Sequence, residues 1–305
     1  MGKIRMKVSE DFGKIRLDYA VNEFIRHCRL RNLSQETQKY YQEDLNYFCR
    51  VMELIYADEV DSAAIERFIE HEMDKGNRIA AINSRIRGIR VFVRFCAERE
   101  YLEGFKIAQL KEDQEQKEPY TDAELKRLLK KPKSDKWQEW RCWAIVNLLL
   151  ATGIRANTVI HLKISDVNFQ DDTIFLSKLK NRRQQTIPIS TSLKNVLKLY
   201  LSLWEWKQDD YLFPTVENTQ MKKGSLQCAI RAYNKSRGVT KTSLHLFRHT
   251  FAKNYILAGG GMVQLQAILG HTTLDMTRKY VNLYSKDIHQ DFNRLNPLNN
   301  VLMKV

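Results

Sequence analysis

The sequence has no cysteine pattern that would support a disulfide framework or a zinc knuckle. Its five cysteines are odd in number and scattered, and no two of them have the CxxC spacing. Buried free thiols in a reducing compartment are the simplest interpretation. The cysteines are residues 28, 49, 96, 142 and 228.

A long apolar segment is also missing. No run approaches the ~20 apolar residues that a membrane-spanning helix requires, and the N-terminal stretch MGKIRMKVSEDFGK lacks the apolar core of a signal peptide. Neither an internal repeat nor a low-complexity tract is present. These absences favour a cytoplasmic protein that is not attached to a membrane.

Positive charge is in excess, and it is unevenly placed. The 305-residue chain carries 50 Lys and Arg against 36 Asp and Glu, a net charge of +14. Residues 1–120 contain 21 basic and 22 acidic side chains, whereas residues 121–305 contain 29 and 14. Such an asymmetry favours a polyanionic partner, most often nucleic acid. A basic protein without such a partner is the alternative.

The N-terminal part has helical periodicity. Ser34 is a favourable N-cap, and Tyr41, Leu45 and Phe48 follow at helical spacing. The segment 110–120, LKEDQEQKEPY, has the composition of a linker. A second N-terminal helix has a buried face made of Ile82, Ile86, Ile89 and Val93. The predicted organisation is an N-terminal segment 1–16, a helical domain 17–109, a linker 110–120 and a second domain 121–305.

The second domain combines helices with a hairpin. WRCWAIVNLLLATGI is too continuously apolar for a surface helix and is predicted to lie in the core. TIFLSK and QQTIPI read as strands joined by the polar turn LKNRR, and Pro188 restricts the second strand to an edge or to its end. STSLKNVLKLYLSLW predicts a helix whose apolar face reaches Trp204. The predicted class is therefore mainly α with one small antiparallel β-sheet, in a mixed α+β second domain.

Four separated segments concentrate unusual residues, although each also has a structural interpretation. They are ATGIRANTVIHL, the basic turn SKLKNRR, SLHLFRHTFAKNY and LGHTTLDMTRKYVNLY. His245 and His249 have a spacing that can hold a metal, but Leu246 stands where a metallohydrolase helix needs glutamate. The triple glycine 259–261 lacks the GK[ST] ending of a phosphate loop and predicts a turn between helices.

The ordered set of Arg155, Lys180, HLFRH, LGH and Tyr280 resembles the tyrosine recombinases, also called the phage integrase family. LLLATGIR with VIHLKISDVNF is similar to the family's first conserved box. LHLFRHTFAKNYILAGGG with QAILGHTTLDMTRKYVNLY is similar to its second. RNLSQETQKYYQEDLNYF resembles the core-binding domain, so that the likeness covers residues 17–295. It implies a helical core-binding domain followed by a catalytic domain.

The resemblance implies a role for each residue of the set. Tyr280 would be the nucleophile, Arg155 and Arg248 would bind the non-bridging phosphate oxygens, and His271 would donate a hydrogen bond to the same phosphate. His245 would assist removal of the tyrosine proton. Lys180 would protonate the leaving 5′ oxygen, with Lys178 as the second choice. The product would be a 3′-phosphotyrosine and a free 5′ hydroxyl, formed without a metal or a cofactor, because two guanidiniums can supply the charge that Mg²⁺ supplies elsewhere.

The chain departs from the family pattern at two places. The first box often reads R-x-S-E, whereas this chain has Arg155, Ala156, Asn157 and Thr158. The packing behind Arg155 is therefore expected to differ. Only residues 1–16 precede the first predicted helix, so we expect a two-domain recombinase without a full arm-binding domain.

Basic residues outside the catalytic set are candidates for DNA contacts. Arg87, Arg90 and Arg94 share one helix face, which is either a solvated face or a track for phosphates. The two domains are expected to form a C-shaped clamp around duplex DNA. The remaining candidates are Arg182, Arg183, Arg278 and Lys279, whereas Tyr284 is expected to be a packing residue.

The C-terminal tail, residues 285–305, has an apolar stripe made of Leu298, Val301, Leu302 and Val305. The family resemblance implies that this tail docks into a neighbouring protomer of a DNA-bound homo-tetramer, and the alternative is that it folds onto its own domain. The expected function is site-specific recombination of two synapsed sites by a nucleoid-associated enzyme, with or without accessory directionality factors. Integration by a mobile element, excision, inversion and multimer resolution all fit the sequence. Type IB topoisomerase-like relaxation and non-enzymatic DNA binding are the alternatives.

Overall fold

The structure, a computed structural model, describes residues 14–112, 118–177, 184–274 and 277. The chain divides into two compact units, Met1–Glu115 and Gln116–Val305, and this division falls within the charged segment 110–120. The predicted class, mainly α with a small antiparallel sheet, is confirmed. No helix in the described part of the chain is long and apolar enough to cross a lipid bilayer.

The first unit is built from α-helices, two of which have a side-chain cap at their start, including the predicted cap at Ser34. The Ser34 side chain accepts a hydrogen bond from the Thr37 amide, and Asp61 does the same for Ala64. These bonds satisfy amides that have no partner inside the helix. The helices are α1 (Leu17–Leu30), α2 (Gln35–Val51), α3 (Ser62–Asp74) and α4 (Ile79–Glu98).

The core of this unit forms between the apolar faces of these helices. Leu45 and Phe48 of α2 are fully buried, and the ring of Phe24 on α1 contacts those of Phe92 and Phe95. Burial of each such side chain contributes about 1.5–3 kcal/mol to folding. The predicted face of α4, made of Ile82, Ile86, Ile89 and Val93, is buried in this core.

The second unit has more helices and a three-stranded sheet. Its strands are β1 (Val167–Asn168), β2 (Thr173–Leu176) and β3 (Gln185–Pro188). Its helices are α5 (Asp122–Leu129), α6 (Trp137–Thr152), α7 (Ala156–Val159), α8 (Thr191–Leu201), α9 (Lys223–Ser236), α10 (Leu244–Leu257) and α11 (Met262–Leu269).

Helix α6 is the centre of this unit, as its continuous apolar sequence predicts. It is buried along most of its length and packs against α5, α8, α9 and α10. The start of the unit is fixed to α10, because the Tyr120 ring packs on Phe247 and the Tyr120 amide donates to Thr250 Oγ1 at 3.0 Å. The positions of α6 and α10 are therefore set by the core.

The sheet is antiparallel in the order β1-β2-β3. Ile174 of β2 faces Ile187 of β3 in the register, and both are buried. Pro188 is the last residue of the edge strand β3, as predicted. Strand β1 was not predicted, because two residues are too few to give an alternating pattern.

Helix α8 is shorter than its sequence pattern predicts. It ends at Leu201, whereas the apolar spacing continues to Trp204. Trp204 lies beyond the helix and packs against Tyr200, with ring centroids 5.9 Å apart. The prediction was wrong here because periodicity reports which side chains pack against the core, and a residue that follows the helix can pack there as well.

Candidate active site

The site begins where α6 ends, at Gly153. This residue has φ +62° and its amide donates to the Leu149 carbonyl. A Cβ atom at position 153 would lie 2.4 Å from Phe251 Cδ1 and 2.8 Å from Leu269 Cδ2. Glycine is therefore required both by the left-handed conformation and by the close approach of neighbouring side chains. The turn leads directly to Arg155 and exposes the Gly153 carbonyl to the site.

Arg248 lies in α10 and is 1% exposed. Its Nη1 donates to the Gly153 carbonyl at 2.9 Å, and its Nη2 donates to the Leu269 carbonyl at 2.9 Å. Nη2 is also in hydrogen-bond contact with His271 Nε2. A buried guanidinium needs such partners because burial removes its hydration. Bonds to carbonyl oxygens fix its orientation without cancelling its positive charge.

Arg155 approaches the same place from the start of α7. It is half-buried, and its Nη1 lies 3.4 Å from the Leu269 carbonyl oxygen. Thr158, where the family often has glutamate, is buried and supplies no carboxylate. Both guanidiniums thus converge on one carbonyl at the C-terminal end of α11. The negative end of a helix dipole stabilises cations, and two adjacent guanidiniums form a binding site for an anion such as phosphate.

His271 follows α11 and is 7% exposed. Gly270, with φ +62°, ends the helix, and the His271 amide donates to the Gln266 carbonyl. Burial, followed by the charges of Arg248, Arg155 and His245, lowers the pKa of His271 to about 4. The ring is therefore neutral at physiological pH. Its Nδ1 lies 2.8 Å from Thr277 Oγ1, and both atoms are buried.

His245 lies on the first turn of α10, three residues before Arg248, and its side chain is exposed. Its ring is perpendicular to that of His249, with centroids 5.0 Å apart. It is close enough to affect the pKa of His271 electrostatically. Within the described ranges, no group of three or more His, Cys, Asp or Glu is arranged to hold a metal ion.

Gln185 belongs to the site but carried no sequence signal. Its Nε2 donates to the carbonyls of Ala267 and Ile268 at 2.6 Å and 2.9 Å. A Cβ at Gly270 would lie 2.9 Å from Gln185 Oε1. Gln185 therefore links the start of β3 to the end of α11. The only hint in the sequence is that Gln185 follows the predicted basic turn.

Several predicted residues lie outside the described residues. They are Lys178, Lys180, Arg182, Arg183, Arg278, Lys279, Tyr280 and Tyr284, and the tail 285–305. In the first unit, Arg87 and Arg94 are exposed on α4 and Arg90 is half-buried. The structure thus brings together Arg155, Arg248 and His271, with His245 on the adjoining helix turn.

Comparison with known proteins identifies the family. The model of the phage integrase family matches residues 120–287, more than half of the chain. The chain belongs to the phage integrase family. This integrase-family chain is 27% identical over 287 residues to the tyrosine recombinase XerA of Pyrococcus furiosus, covering 92% of the chain and 96% of the relative. It is 23% identical over 297 residues to XerC of Thermodesulfovibrio yellowstonii, covering 92% and 97%.

Solved structures of integrases have the same fold as this family member. The Tn1549 transposon integrase in complex with a circular intermediate DNA matches with a TM-score of 0.74 at 19% identity, covering 92% of this chain and 100% of that one. The lambda integrase tetramer bound to a Holliday junction matches with a TM-score of 0.71 at 14% identity, covering 92% and 82%. The resemblance inferred from the motifs is therefore confirmed, and the names of the relatives agree with the predicted enzyme class, a DNA strand transferase.

We predict that Gln185→Leu lowers the free energy of unfolding by about 0.5–1.5 kcal/mol, because the Ile268 carbonyl loses its side-chain donor and the Ala267 carbonyl keeps only the Gly270 amide. Hydrogen exchange of the Gly270 and His271 amides should also become faster, since these amides close the last turn of α11. Urea unfolding and exchange measurements test this. Gln184→Leu is the matched control, because Gln184 is exposed next to it. Equal effects of the two substitutions would contradict the role of Gln185.

We also predict that His271 makes folding stability depend on pH between about 6.5 and 4. In this window the unfolded state binds the proton and the folded state does not, so the free energy of unfolding decreases as the pH falls. The total change attributable to His271 is roughly 3 kcal/mol. Denaturant unfolding of wild type and His271→Gln at several pH values isolates it. Parallel stability profiles for the two proteins would rule out a depressed pKa.

Proposed function

We propose that this chain is a site-specific DNA recombinase that cleaves and rejoins DNA strands through a covalent 3′-phosphotyrosine at Tyr280. The observation that carries the proposal is the convergence of Arg155 and Arg248 on the Leu269 carbonyl, beside the neutral ring of His271. The two planar guanidiniums can therefore donate hydrogen bonds to a phosphate in a site that is largely buried. Phosphoryl transfer requires mainly such charge stabilisation and in-line positioning.

The two guanidiniums bind the non-bridging oxygens of the scissile phosphodiester. They remain positively charged at any physiological pH, so they stabilise the charge that builds up on these oxygens in the transition state. Arg248 is held on two carbonyl oxygens before DNA arrives. A preorganised donor does not have to be reoriented during the reaction.

The chemical step exchanges one phosphate ester for another. The Tyr280 phenol oxygen forms a bond to phosphorus, the bond from phosphorus to the 5′ oxygen breaks, and the phenol proton passes to His245. Lys180 gives a proton to the leaving 5′ oxygen. Rejoining reverses these transfers with a 5′ hydroxyl as the nucleophile. Because the ester bond is conserved, the reaction needs no nucleotide cofactor.

Recombination joins two sites, and we propose that a homo-tetramer carries it out in the cytoplasm, at the nucleoid. This proposal is supported by the fold that the chain shares with the lambda integrase, whose solved structure is a tetramer bound to a Holliday junction. In the present chain, the tail 285–305 would link protomers. Arg87, Arg90 and Arg94 on α4 would contact phosphates, together with Arg182, Arg183, Arg278 and Lys279. Such contacts supply affinity and leave sequence selection to a few base contacts.

The proposal is tested with labelled nicked duplexes that carry a randomised core. A nick close to the cleavage site lets the short 5′-hydroxyl fragment diffuse away and traps the protein–DNA adduct. SDS-resistant adducts should form with wild type, and sequencing of the trapped DNA gives the preferred site. The same yield is expected in EDTA. Absence of any adduct, or relaxation of plasmids without a preferred sequence, would count against site-specific recombination.

We predict that Tyr280→Phe abolishes the adduct and leaves the Kd for the selected duplex within about twofold, because the phenol oxygen is used only in chemistry. Tyr284→Phe is the matched control, four residues further along the same segment. It should form adducts at the wild-type rate. If Tyr284→Phe is the inactive variant instead, the assignment of the nucleophile is wrong.

We predict that Arg248→Lys lowers the cleavage rate by about 10²–10³-fold, the usual loss for removal of one preorganised donor to a developing charge. Lysine keeps the positive charge, but it lacks the planar guanidinium. Its single ammonium group cannot bind the Gly153 carbonyl, the Leu269 carbonyl and a phosphate at the same time. Single-turnover adduct formation measures the rate, and circular dichroism verifies folding. A folded variant with wild-type turnover would contradict the proposed role of the guanidinium.

A further inference from the structure

We propose that Thr277 is a positioning residue whose hydroxyl forms a hydrogen bond with His271 Nδ1 in either neutral tautomer of the ring. The hydroxyl would accept a hydrogen bond from Nδ1 in the DNA-free protein and donate one to Nδ1 when a phosphate occupies the site. This inference rests on the proposed function. It concerns a residue outside the set that the family resemblance assigns.

The contact between Thr277 and His271 is enclosed. Thr277 is fully buried, and its Oγ1 lies 2.8 Å from His271 Nδ1. A buried ring nitrogen that loses its partner cannot readily use water in its place, so this hydrogen bond is costly to break. In either protonation state of Nδ1, the Thr277 hydroxyl therefore has to keep its hydrogen bond to this nitrogen.

The other ring nitrogen fixes the tautomer in the DNA-free site. His271 Nε2 is in hydrogen-bond contact with Arg248 Nη2. A guanidinium nitrogen can only donate, so Nε2 has to accept. In a neutral ring the proton is then on Nδ1, which donates to Thr277 Oγ1. The low pKa of His271 supports the neutral form.

Phosphate binding reverses this requirement. Non-bridging phosphate oxygens only accept hydrogen bonds, so Nε2 can contact one of them only as a donor. If the ring stays neutral, Nε2 gains a proton from solvent while Nδ1 releases one, and the charge of His271 is unchanged. Nδ1 then needs a donor. The Thr277 hydroxyl supplies it by rotating about its C–O bond, because a hydroxyl both donates and accepts.

This change leaves the heavy atoms of His271 and Thr277 in place. It also breaks the hydrogen bond between Arg248 Nη2 and His271 Nε2. Arg248 Nη2 can then donate a hydrogen bond to the phosphate. A hydroxyl is the smallest group that satisfies both tautomers. Serine retains this property, whereas valine has nearly the shape of threonine and neither donates nor accepts.

The first experiment compares Thr277→Val with Thr277→Ser in single-turnover adduct formation on the selected nicked duplex. We expect valine to lower the cleavage rate about tenfold, with the Kd for DNA within about twofold of wild type, and serine to restore most of the rate. Thr273→Val is the control, since Thr273 is exposed in the same segment. Wild-type cleavage by Thr277→Val, or equal loss in the serine and valine variants, would overturn the proposal.

The second experiment observes the ring directly by ¹⁵N NMR with labelled histidine, using His271→Gln to assign the signals. We expect the Nδ1-protonated tautomer in the DNA-free protein and the Nε2-protonated tautomer when Tyr280→Phe is bound to the selected duplex. An Nε2-protonated ring without DNA, or a doubly protonated ring with DNA, would overturn the proposal. Failure of the wild type to form adducts would refute the recombinase function, whereas the tautomer in the DNA-free protein tests the hydrogen-bond arrangement around His271 independently of that function.

Discussion

The site depends on the carbonyl end of helix α11. A helix leaves its last carbonyls without partners inside the helix, and here side chains from three other elements occupy them. Gln185 of β3 bonds to the carbonyls of Ala267 and Ile268, and Arg155 and Arg248 both point to that of Leu269. One helix terminus therefore sets the distance between two guanidiniums. It also links strand β3 to the same helix end through Gln185.

Two glycines make this arrangement possible. Gly153 ends α6 and Gly270 ends α11, both with φ +62°. The first turn presents a carbonyl to Arg248, and the second places His271 beside the same guanidinium. Because α6 is the buried centre of the unit, the position of Gly153 is fixed by core packing. The hydrophobic core and the charged site are thus connected through main-chain atoms.

Local features of the fold could be predicted from the sequence because their causes are local. The cap at Ser34 and the apolar face of α4 each depend on residues within a few positions of one another. The end of α8 was mispredicted because Trp204 packs against the core from a position beyond the helix, and apolar spacing does not distinguish such a residue from a helical one.

The site was predictable only in part. The likeness to tyrosine recombinases singled out Arg155, Arg248 and His271, and the structure places them together. The likeness did not specify what holds them. Gln185 contacts residues 82 and 83 positions away, and no spacing rule covers such a pair. The acceptor shared by the two arginines escaped prediction because it is a main-chain oxygen, which every residue possesses and no motif records.

The use of main-chain oxygens has a consequence for how this site tolerates sequence change. Substitution of Ala267, Ile268 or Leu269 alters a side chain but cannot delete the carbonyl that a guanidinium or an amide binds. The anchoring of the arginines is therefore robust to drift in the helix that provides it. Its weak point is Gly270 instead, where any side chain would meet Gln185 and disfavour the left-handed turn that ends the helix.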